Sequence, residues 1–175
     1  MKLEQELVIL GLLRDHPQHG YEIRKQINEF LTYFAGLEFE SIYYSLRSLE
    51  KKGLVRKKLA SSRNRPDKYV YSLTEKGSER FLSLLDKSFL HIQRPFFGID
   101  LSLFFLPHLE PSSVERKLKT RLKMLKRIES NLVKVYAEFK KKYPPHLLAI
   151  LEHNLELINA EESFISKFVS SLSHK

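Results

Sequence analysis

Between Ser41 and Lys51 the sequence SIYYSLRSLEK places polar side chains along one side of a predicted helix. At about 100° per residue, Ile42, Leu46 and Leu49 share the other side, which suits burial. The polar side carries hydroxyl, phenol, guanidinium and ammonium groups, which can bind phosphates and the base edges of a DNA major groove. Any solvent-exposed helix also turns polar groups outward, so both interpretations stay open. The candidate DNA-binding residues here are Ser41, Tyr44, Arg47, Ser48 and Lys51, with the neighbouring Tyr43.

A basic stretch follows this helix. Residues 51–68 contain eight cations and one acid, Asp67, for a net charge of +7. Arg63, Arg65 and Lys68 fall in or beside a predicted turn, SSRNRPD, where cations could follow a phosphate backbone or enter a minor groove. A solvated loop is the alternative that charge alone does not exclude. Glu40 borders the polar face; it could read a cytosine amine, but we favour an interaction with the helix dipole.

Hydrophobic periodicity, together with Pro and Gly, predicts the elements that would position these residues. Three helices are expected first, then two strands around the basic turn, then a fourth helix capped by Thr74. Gly53 is expected to end the third helix. This order is typical of a winged helix, in which a β-hairpin is appended to a helix-turn-helix. The predicted ranges are 3–14, 19–34 and 39–52 for the first helices, 54–60 and 68–74 for the strands, and 74–91 for the fourth helix.

The rest of the chain has a different pattern. Two long amphipathic helices, expected at 112–142 and 146–172, are joined by YPPH and should form an antiparallel hairpin. The second repeats apolar residues every seven positions, although Glu162 interrupts a companion line. The expected fold is mainly α with a small β-hairpin wing: a winged helix-turn-helix domain at 1–92 and a helical dimerisation domain at 93–175. The predicted dimerisation residues are Leu148, Leu151, Leu155, Ile158, Ile165, Val169 and Leu172.

Three segments carry a family resemblance. LVILGLLRDHPQHGYEIRKQI, SIYYSLRSLEKKGLVRKK and YVYSLTEKG resemble, in order and spacing, the PadR family of bacterial transcriptional regulators, and they span about residues 7–77. LFFLPHLEPSSVERKLKTRL resembles the longer-tailed branch of that family more loosely. The resemblance implies a homodimer that binds a pseudo-palindromic operator on double-stranded DNA and represses transcription, with a small molecule, often aromatic, as a candidate effector. The chain has no Trp, so stacking of a flat ligand between two Trp rings is not expected.

Other functions find less support. Cysteine is absent, which excludes disulfides and thiolate chemistry, and no nucleophile motif or Gly-rich phosphate loop occurs, so we expect neither an enzyme nor a cofactor. His16, His19 and Glu22 lie close together but lack a recognised metal spacing, so no metal site is expected. No apolar run is long enough to span a membrane, and the first residues do not resemble a signal peptide; we expect a cytoplasmic protein.

Three alternatives remain open. The basic run at 116–127 is either a solvated helix face, which we favour, or a second nucleic-acid surface. The aromatic residues Phe96, Phe97, Phe104 and Phe105 either pack in a core, which we favour, or line a ligand pocket. A winged-helix module that binds protein or RNA without operator specificity is the alternative to a DNA-binding regulator.

Overall fold

The computed structural model describes residues 3–31, 41–60, 68–92 and 98–172 of the 175-residue chain. The chain divides into two compact units, Met1–Gln93 and Arg94–Lys175. The first combines helices with a small antiparallel sheet, and the second is helical in its described part. This architecture agrees with the expected fold class, while the assignment of DNA binding and dimerisation to the two units remains a prediction.

The first unit has the element order predicted for a winged helix. Its predicted second helix and third helix meet within residues 32–40, which lie outside the described residues. The elements are α1 (Leu3–Asp15), β1 (Gln18–His19), α2 (Gly20–Gln26, continued by a π-helical turn at Ile27–Leu31), α3 (Ile42–Lys51), β2 (Val55–Ala60), β3 (Lys68–Leu73) and α4 (Glu75–Ser88).

A three-stranded antiparallel sheet ties the hairpin to the N-terminal helices. The strand order is β1-β3-β2, and Gln18 of β1 pairs with Tyr71 of β3. Within the hairpin, Val55 pairs with Leu73 and Lys57 with Tyr71. The sequence predicts the two hairpin strands but not β1, because a strand of two residues shows no alternation of apolar and polar side chains.

Helix α3 is held by an apolar face that is buried in the first unit. Ile42, Leu46 and Leu49 are 5%, 0% and 0% exposed, which confirms the side predicted for the core. Burying one such side chain stabilises a fold by about 1.5–3 kcal/mol, so this face fixes the depth of α3 in the unit. Helices α1 and α2 supply the rest of this part of the cluster, namely Ile9, Leu10, Leu13, Ile23 and Ile27.

The C-terminal end of α3 is fixed by a tight turn. Gly53 has a φ of 71°, its N–H donates to the Glu50 carbonyl at 2.9 Å, and the Leu54 N–H donates to the Leu49 carbonyl at 3.0 Å. This is the Schellman arrangement, which favours glycine because the left-handed backbone strains residues that carry a Cβ. Gly53 therefore ends the helix, as predicted.

Helix α4 begins directly against this turn. Thr74 Oγ1 lies 2.8 Å from the Gly53 carbonyl oxygen and accepts a hydrogen bond from the Gly77 N–H at 3.0 Å, which confirms Thr74 as the N-cap. A Cβ on Gly77 would collide with the Leu54 carbonyl oxygen. The close approach requires glycine, so α3, the turn and α4 form one packed junction.

The second unit is built on a long antiparallel helix pair. Polar pairs join its helices at two levels, since Arg121 Nε donates to Glu161 at 2.8 Å and the Tyr136 hydroxyl donates to Glu152 at 2.7 Å. The sequence predicts the two long helices but not the short elements that precede them. No helix within the described ranges is both long and apolar enough to cross a membrane. The elements are α5 (Gly98–Phe104), a 3-10 turn (Leu106–His108), α6 (Pro111–Phe139) and α7 (Pro145–Leu172).

The aromatic segment before α6 differs from its favoured interpretation. Phe104 and Phe105 are 78% and 54% exposed, so they do not pack in the core of the single chain. Helix α5 instead turns Ile99 and Leu103 toward the cluster formed with α6 and α7, which leaves Phe104 on the outer side. Phe96 and Phe97 lie outside the described residues.

Candidate nucleic-acid interface

The polar side of α3 is open to solvent. Tyr44 is 65% exposed, Arg47 and Lys51 are also exposed, and Ser48 is half-buried. Ser41 is the N-cap of the helix, and its Oγ accepts a hydrogen bond from the Tyr44 N–H at 3.4 Å. The helix therefore starts at the first candidate residue, and four further candidates are carried on its solvent side.

Tyr43 occupies the border between α2 and α3. It is 45% exposed, and its ring packs so close to Gly20 that a Cβ there would lie 2.9 Å from the Tyr43 ring. The Tyr43 carbonyl accepts a hydrogen bond from Arg47 Nε at 3.4 Å. Tyr43 thus spaces the two helices and presents only part of its ring outward.

The hairpin places more cations beside α3. Arg56, Lys57 and Lys58 of β2 are exposed, and Lys57 Nζ lies 3.3 Å from Glu50 and 5.2 Å from the centre of the Tyr69 ring. Pairing with Lys57 offsets Glu50, which is the one acidic residue of α3 between Ile42 and Lys51. Sequence reasoning missed this pair because it depends on the position of β2 relative to α3.

The tip of the hairpin was predicted to carry the main backbone contacts. Arg63 and Arg65 lie outside the described residues, as does Glu40, and of Lys68 only the backbone pairing with Ala60 is described. The predictions for these three cations therefore stay predictions.

Helix α2 offers a further set of polar groups that sequence reasoning did not single out. Tyr21, Arg24, Lys25 and Asn28 are exposed and, with Glu29, line a surface depression of about 360 Å³. In a helix-turn-helix the first helix crosses the DNA backbone, which makes Arg24 and Lys25 candidate phosphate contacts. The spacing of three and four residues along α2 was the signal that could have identified them.

A buried carboxylate lies at the C-terminal end of α3. Glu6 of α1 is 4% exposed, and it accepts hydrogen bonds from Lys52 Nζ at 2.9 Å and from Arg80 Nε at 2.6 Å. Burial alone would raise the pKa of Glu6, but the hydrogen bonds and charges of Arg80 and Lys52 outweigh it and hold the pKa below its ordinary value. Glu6 is therefore an anion that joins α1 to the end of α3 and to α4.

Of the two histidines near the first turn, His19 is hydrogen-bonded within the fold and His16 is exposed. The His19 N–H donates to Glu22 at 2.7 Å, and its Nδ1 lies 3.1 Å from the Tyr69 carbonyl oxygen. The backbone hydrogen bond from His19 is the main reason that the pKa of Glu22 is lowered. Over the ranges that the structure describes, no group of three or more His, Asp and Glu side chains is arranged to hold a metal ion.

The predicted dimerisation residues of α7 differ in their surroundings. Leu151 and Ile165 are fully buried in the single chain and Val169 is nearly so, whereas Leu148, Leu155, Ile158 and Leu172 are half-buried. The helix pair therefore covers much of this line itself, and the role of these residues in a dimer remains a prediction. Other large apolar side chains of the pair are exposed, namely Leu157 and Phe164 on α7 and Met124, Ile128 and Val133 on α6.

Helices α2 and α3, the antiparallel hairpin beside them and the solvent-exposed face of α3, whose one acid is paired with Lys57, define a winged-helix domain. Residues 9–83 match the model of the transcriptional regulator PadR-like family. The chain therefore carries a PadR-like domain, which confirms the resemblance seen in the sequence. The family consists of transcriptional regulators, not enzymes.

Comparisons with individual proteins agree with this assignment. A probable transcriptional regulator of Mycobacterium tuberculosis is 32% identical over 69 residues, which are 39% of this chain and 36% of that protein. The chain thus matches little more than a third of the length of this curated relative.

Solved structures cover far more of the chain. The virulence activator AphA of Vibrio cholerae is 17% identical with a TM-score of 0.75, over 97% of this chain and 98% of that one. PadR of Bacillus subtilis in complex with operator DNA is 20% identical with a TM-score of 0.74, over 95% of this chain and 96% of that one. The same protein in complex with p-coumaric acid is 21% identical with a TM-score of 0.73, over 96% and 98%. At these identities the likeness is one of fold.

Proposed function

We propose that the protein is a homodimeric, DNA-binding repressor of PadR type that acts in the cytoplasm on a pseudo-palindromic operator. The observation that carries this proposal is the outward face of α3, which combines Tyr44, Arg47 and Lys51 with no unpaired acid. Such a face suits phosphates and base edges together, because it offers charged donors beside neutral hydrogen-bonding groups. The Bacillus subtilis neighbour was solved with operator DNA, which supports the same use of the fold.

The proposed contacts fall into two classes. In each protomer α3 enters a major groove, where Ser41, Tyr43, Tyr44, Arg47, Ser48 and Lys51 meet bases and nearby phosphates. Arg63, Arg65 and Lys68 follow the adjacent backbone, and Arg24 and Lys25 of α2 bind phosphates on the other side. Contacts of the second class add affinity for any sequence and make binding depend on salt.

Dimerisation would set the spacing of the two half-sites. Exposed apolar groups such as Phe164 and Leu157 on α7 offer surface for a second copy, next to the half-buried Leu155, Ile158 and Leu172. A dimer with two-fold symmetry presents its two α3 helices about one DNA turn apart, on the order of 34 Å, or a multiple of that distance. A dimer that must bind both half-sites at this spacing is more specific than a single protomer, although each protomer makes the same contacts.

A small-molecule effector would release the DNA by favouring a dimer with wrongly spaced α3 helices. The Bacillus subtilis neighbour was also solved with p-coumaric acid, an aromatic acid. The second unit of this chain contains a cavity of about 370 Å³ between α5 and α6, with Ile99, Leu103 and Leu118 in its walls and Lys117 and Arg121 beside them. Apolar walls beside a cation suit an amphipathic anion, and Lys117 is the candidate cation because Arg121 is already paired with Glu161.

The proposal is tested by selecting duplexes from a random pool with the wild-type protein. A DNA regulator enriches one sequence and binds it more tightly than its scrambled form at physiological salt. Tyr44→Ala is then expected to cost about 1–3 kcal/mol on the selected duplex, because a base contact is lost, and little on the scrambled one. Equal binding to selected and scrambled duplexes would favour a module for protein or RNA.

The backbone contacts have a different signature. Arg63→Ala is expected to weaken binding to all duplexes by a similar factor and to reduce the salt slope by about 1, because one phosphate contact is lost. Lys142→Ala removes a cation that is paired with Glu138 and is the matched control. A change of base preference with an unchanged salt slope would contradict the assignment of Arg63.

A further inference from the structure

Glu6 separates two neighbouring lysines at the end of α3. Lys51 is exposed on the polar side of the helix, whereas the ammonium group of Lys52 lies 2.9 Å from the buried carboxylate of Glu6. Among the residues that the structure describes, Glu6 is the only charged one that is buried. One lysine of the pair is thereby left for a DNA contact, and the other is turned inward to α1.

This contact adds a directional restraint to α3. Burial of Ile42, Leu46 and Leu49 fixes the depth of the helix but is non-directional, so it defines tilt and rotation only through packing. A charge-assisted hydrogen bond has a preferred length and angle. Lys52 is the C-cap of α3 and its carbonyl also accepts from Lys76 Nζ at 3.2 Å, so the end of the helix is held from both α1 and α4.

The carboxylate also restrains α4 relative to α1. Glu6 Oε1 accepts from Arg80 Nε at 2.6 Å, and Arg80 lies on the helix that begins against the Gly53 turn. One anion therefore coordinates the helix before the helix-turn-helix, the end of α3 and the helix after the hairpin. Substitution of the carboxylate would leave two cations beside a site built for an anion.

We infer that Glu6 is a positioning residue for operator recognition: it sets the angle at which α3 meets the groove by holding Lys52. This inference depends on the proposed function. A small change in the angle of α3 disturbs base contacts, which need defined geometry, more than phosphate contacts, which tolerate displacement. Loss of the carboxylate therefore lowers the preference for the operator while general DNA affinity is kept.

The test compares Glu6→Gln with Glu4→Gln in the full-length chain. Both substitutions are on α1 and change the charge equally, but Glu4 is exposed. Affinity is measured for the duplex selected by the wild type and for random duplex, on protein shown to be folded by circular dichroism. Glu6→Gln is expected to weaken binding to the selected duplex by about tenfold and to random duplex by less than about twofold, whereas Glu4→Gln changes neither. Equal changes on both duplexes, or none, would overturn the positioning role.

A second pair of variants covers the case in which Glu6→Gln does not fold. Lys52 is about half exposed, and Lys52→Gln removes the same contact from the other side. It is expected to lower the ratio of selected to random binding, whereas Lys51→Gln weakens both. A Lys52→Gln protein with the wild-type ratio refutes the inference. If the wild type selects no sequence at all, the proposed function itself fails, and the two failures are thereby distinguished.

Discussion

Helices α3 and α7 both bury an apolar stripe, but they leave different surfaces outside. Helix α3 buries Leu46 and Leu49 in its own unit and presents tyrosine, arginine and lysine to solvent. Helix α7 buries Leu151, and also Ile165 in the cluster of its own unit, and still exposes Leu157 and Phe164. A polar surface suits a hydrated, charged partner, whereas an exposed apolar surface gains from being covered by another apolar one.

The inward and outward faces of α7 can be separated by two substitutions. Leu151→Ala removes a fully buried side chain and is expected to lower the free energy of unfolding by about 2–5 kcal/mol. Phe164→Ser acts on a side chain that is 48% exposed and is expected to raise the dissociation constant of the proposed dimer by about tenfold or more, with a folded protein. Denaturant unfolding and sedimentation equilibrium measure the two effects.

Lys167→Ser, at a neighbouring exposed position of α7, is the control for Phe164→Ser. If Phe164→Ser has the same dissociation constant as the wild type, the proposed dimer interface does not lie on this side of α7. The same result would mean that the exposed apolar residues of α7, which α3 lacks, do not explain which helix contacts a second copy.

The packed junction that holds the C-terminal end of α3 against α4 can be tested at Gly77. Gly77→Ala is expected to destabilise the first unit by about 3 kcal/mol, because the new Cβ collides with the Leu54 carbonyl and the junction must open. Gly98→Ala, at a glycine of α5 with open space around its Cβ position, should leave stability nearly unchanged. Thermal unfolding of both variants makes the comparison, and equal melting temperatures would refute the close packing.

Acid should also destabilise the first unit, because it protonates Glu6, which binds Lys52 at the end of α3. The pKa of Glu6 is lowered in the fold from an ordinary value of about 4.5. Its contribution to the free energy of unfolding is therefore complete above that value and is lost as the pH falls through the folded pKa. Six of the eight tyrosines lie in the first unit, so near-ultraviolet circular dichroism reports mainly on that unit. Stability followed in this way should fall from about pH 5 downward, and less steeply in Glu6→Gln. Identical profiles would exclude Glu6 as a source.

The smallest effect is expected at the turn itself. Gly53→Ala places a Cβ on a backbone with a φ of 71° but meets no neighbouring atom, so only backbone strain is added. The expected cost is about 1 kcal/mol, clearly below that of Gly77→Ala. Equal costs for the two substitutions would show that strain, rather than collision, dominates at both glycines.

Local chemistry explains what the sequence could predict. Gly53 and Thr74 act on residues within a few positions of themselves, and the apolar side of α3 faces a single core, so periodicity and capping were sufficient. The same reasoning assigned the outward face of α3, which the structure leaves open to solvent. Elements with strong local signals were therefore placed to within a few residues.

Features that depend on distant residues could not be predicted in this way. Glu6 lies in an acidic N-terminal stretch, and its burial follows from Lys52 and Arg80, which are 46 and 74 positions away. Strand β1 exists only because β3 returns beside it. A heptad pattern such as that of α7 predicts that its residues are buried, but not whether they pack against α6 or against a second chain. Periodicity alone therefore could not decide between these two surfaces for Leu151 and Ile165.

The pairing of β1 with β3 has a consequence for synthesis on the ribosome. Gln18 can pair only after Tyr71 has been synthesised, and Glu6 can accept its hydrogen bond from Arg80 only after Arg80 has been synthesised. The first unit therefore completes its fold only after most of α4 has left the exit tunnel, whereas the α6–α7 hairpin closes between neighbouring segments. While β3 and α4 are still inside the tunnel, α1 and β1 lack the partners with which they pair in the finished unit.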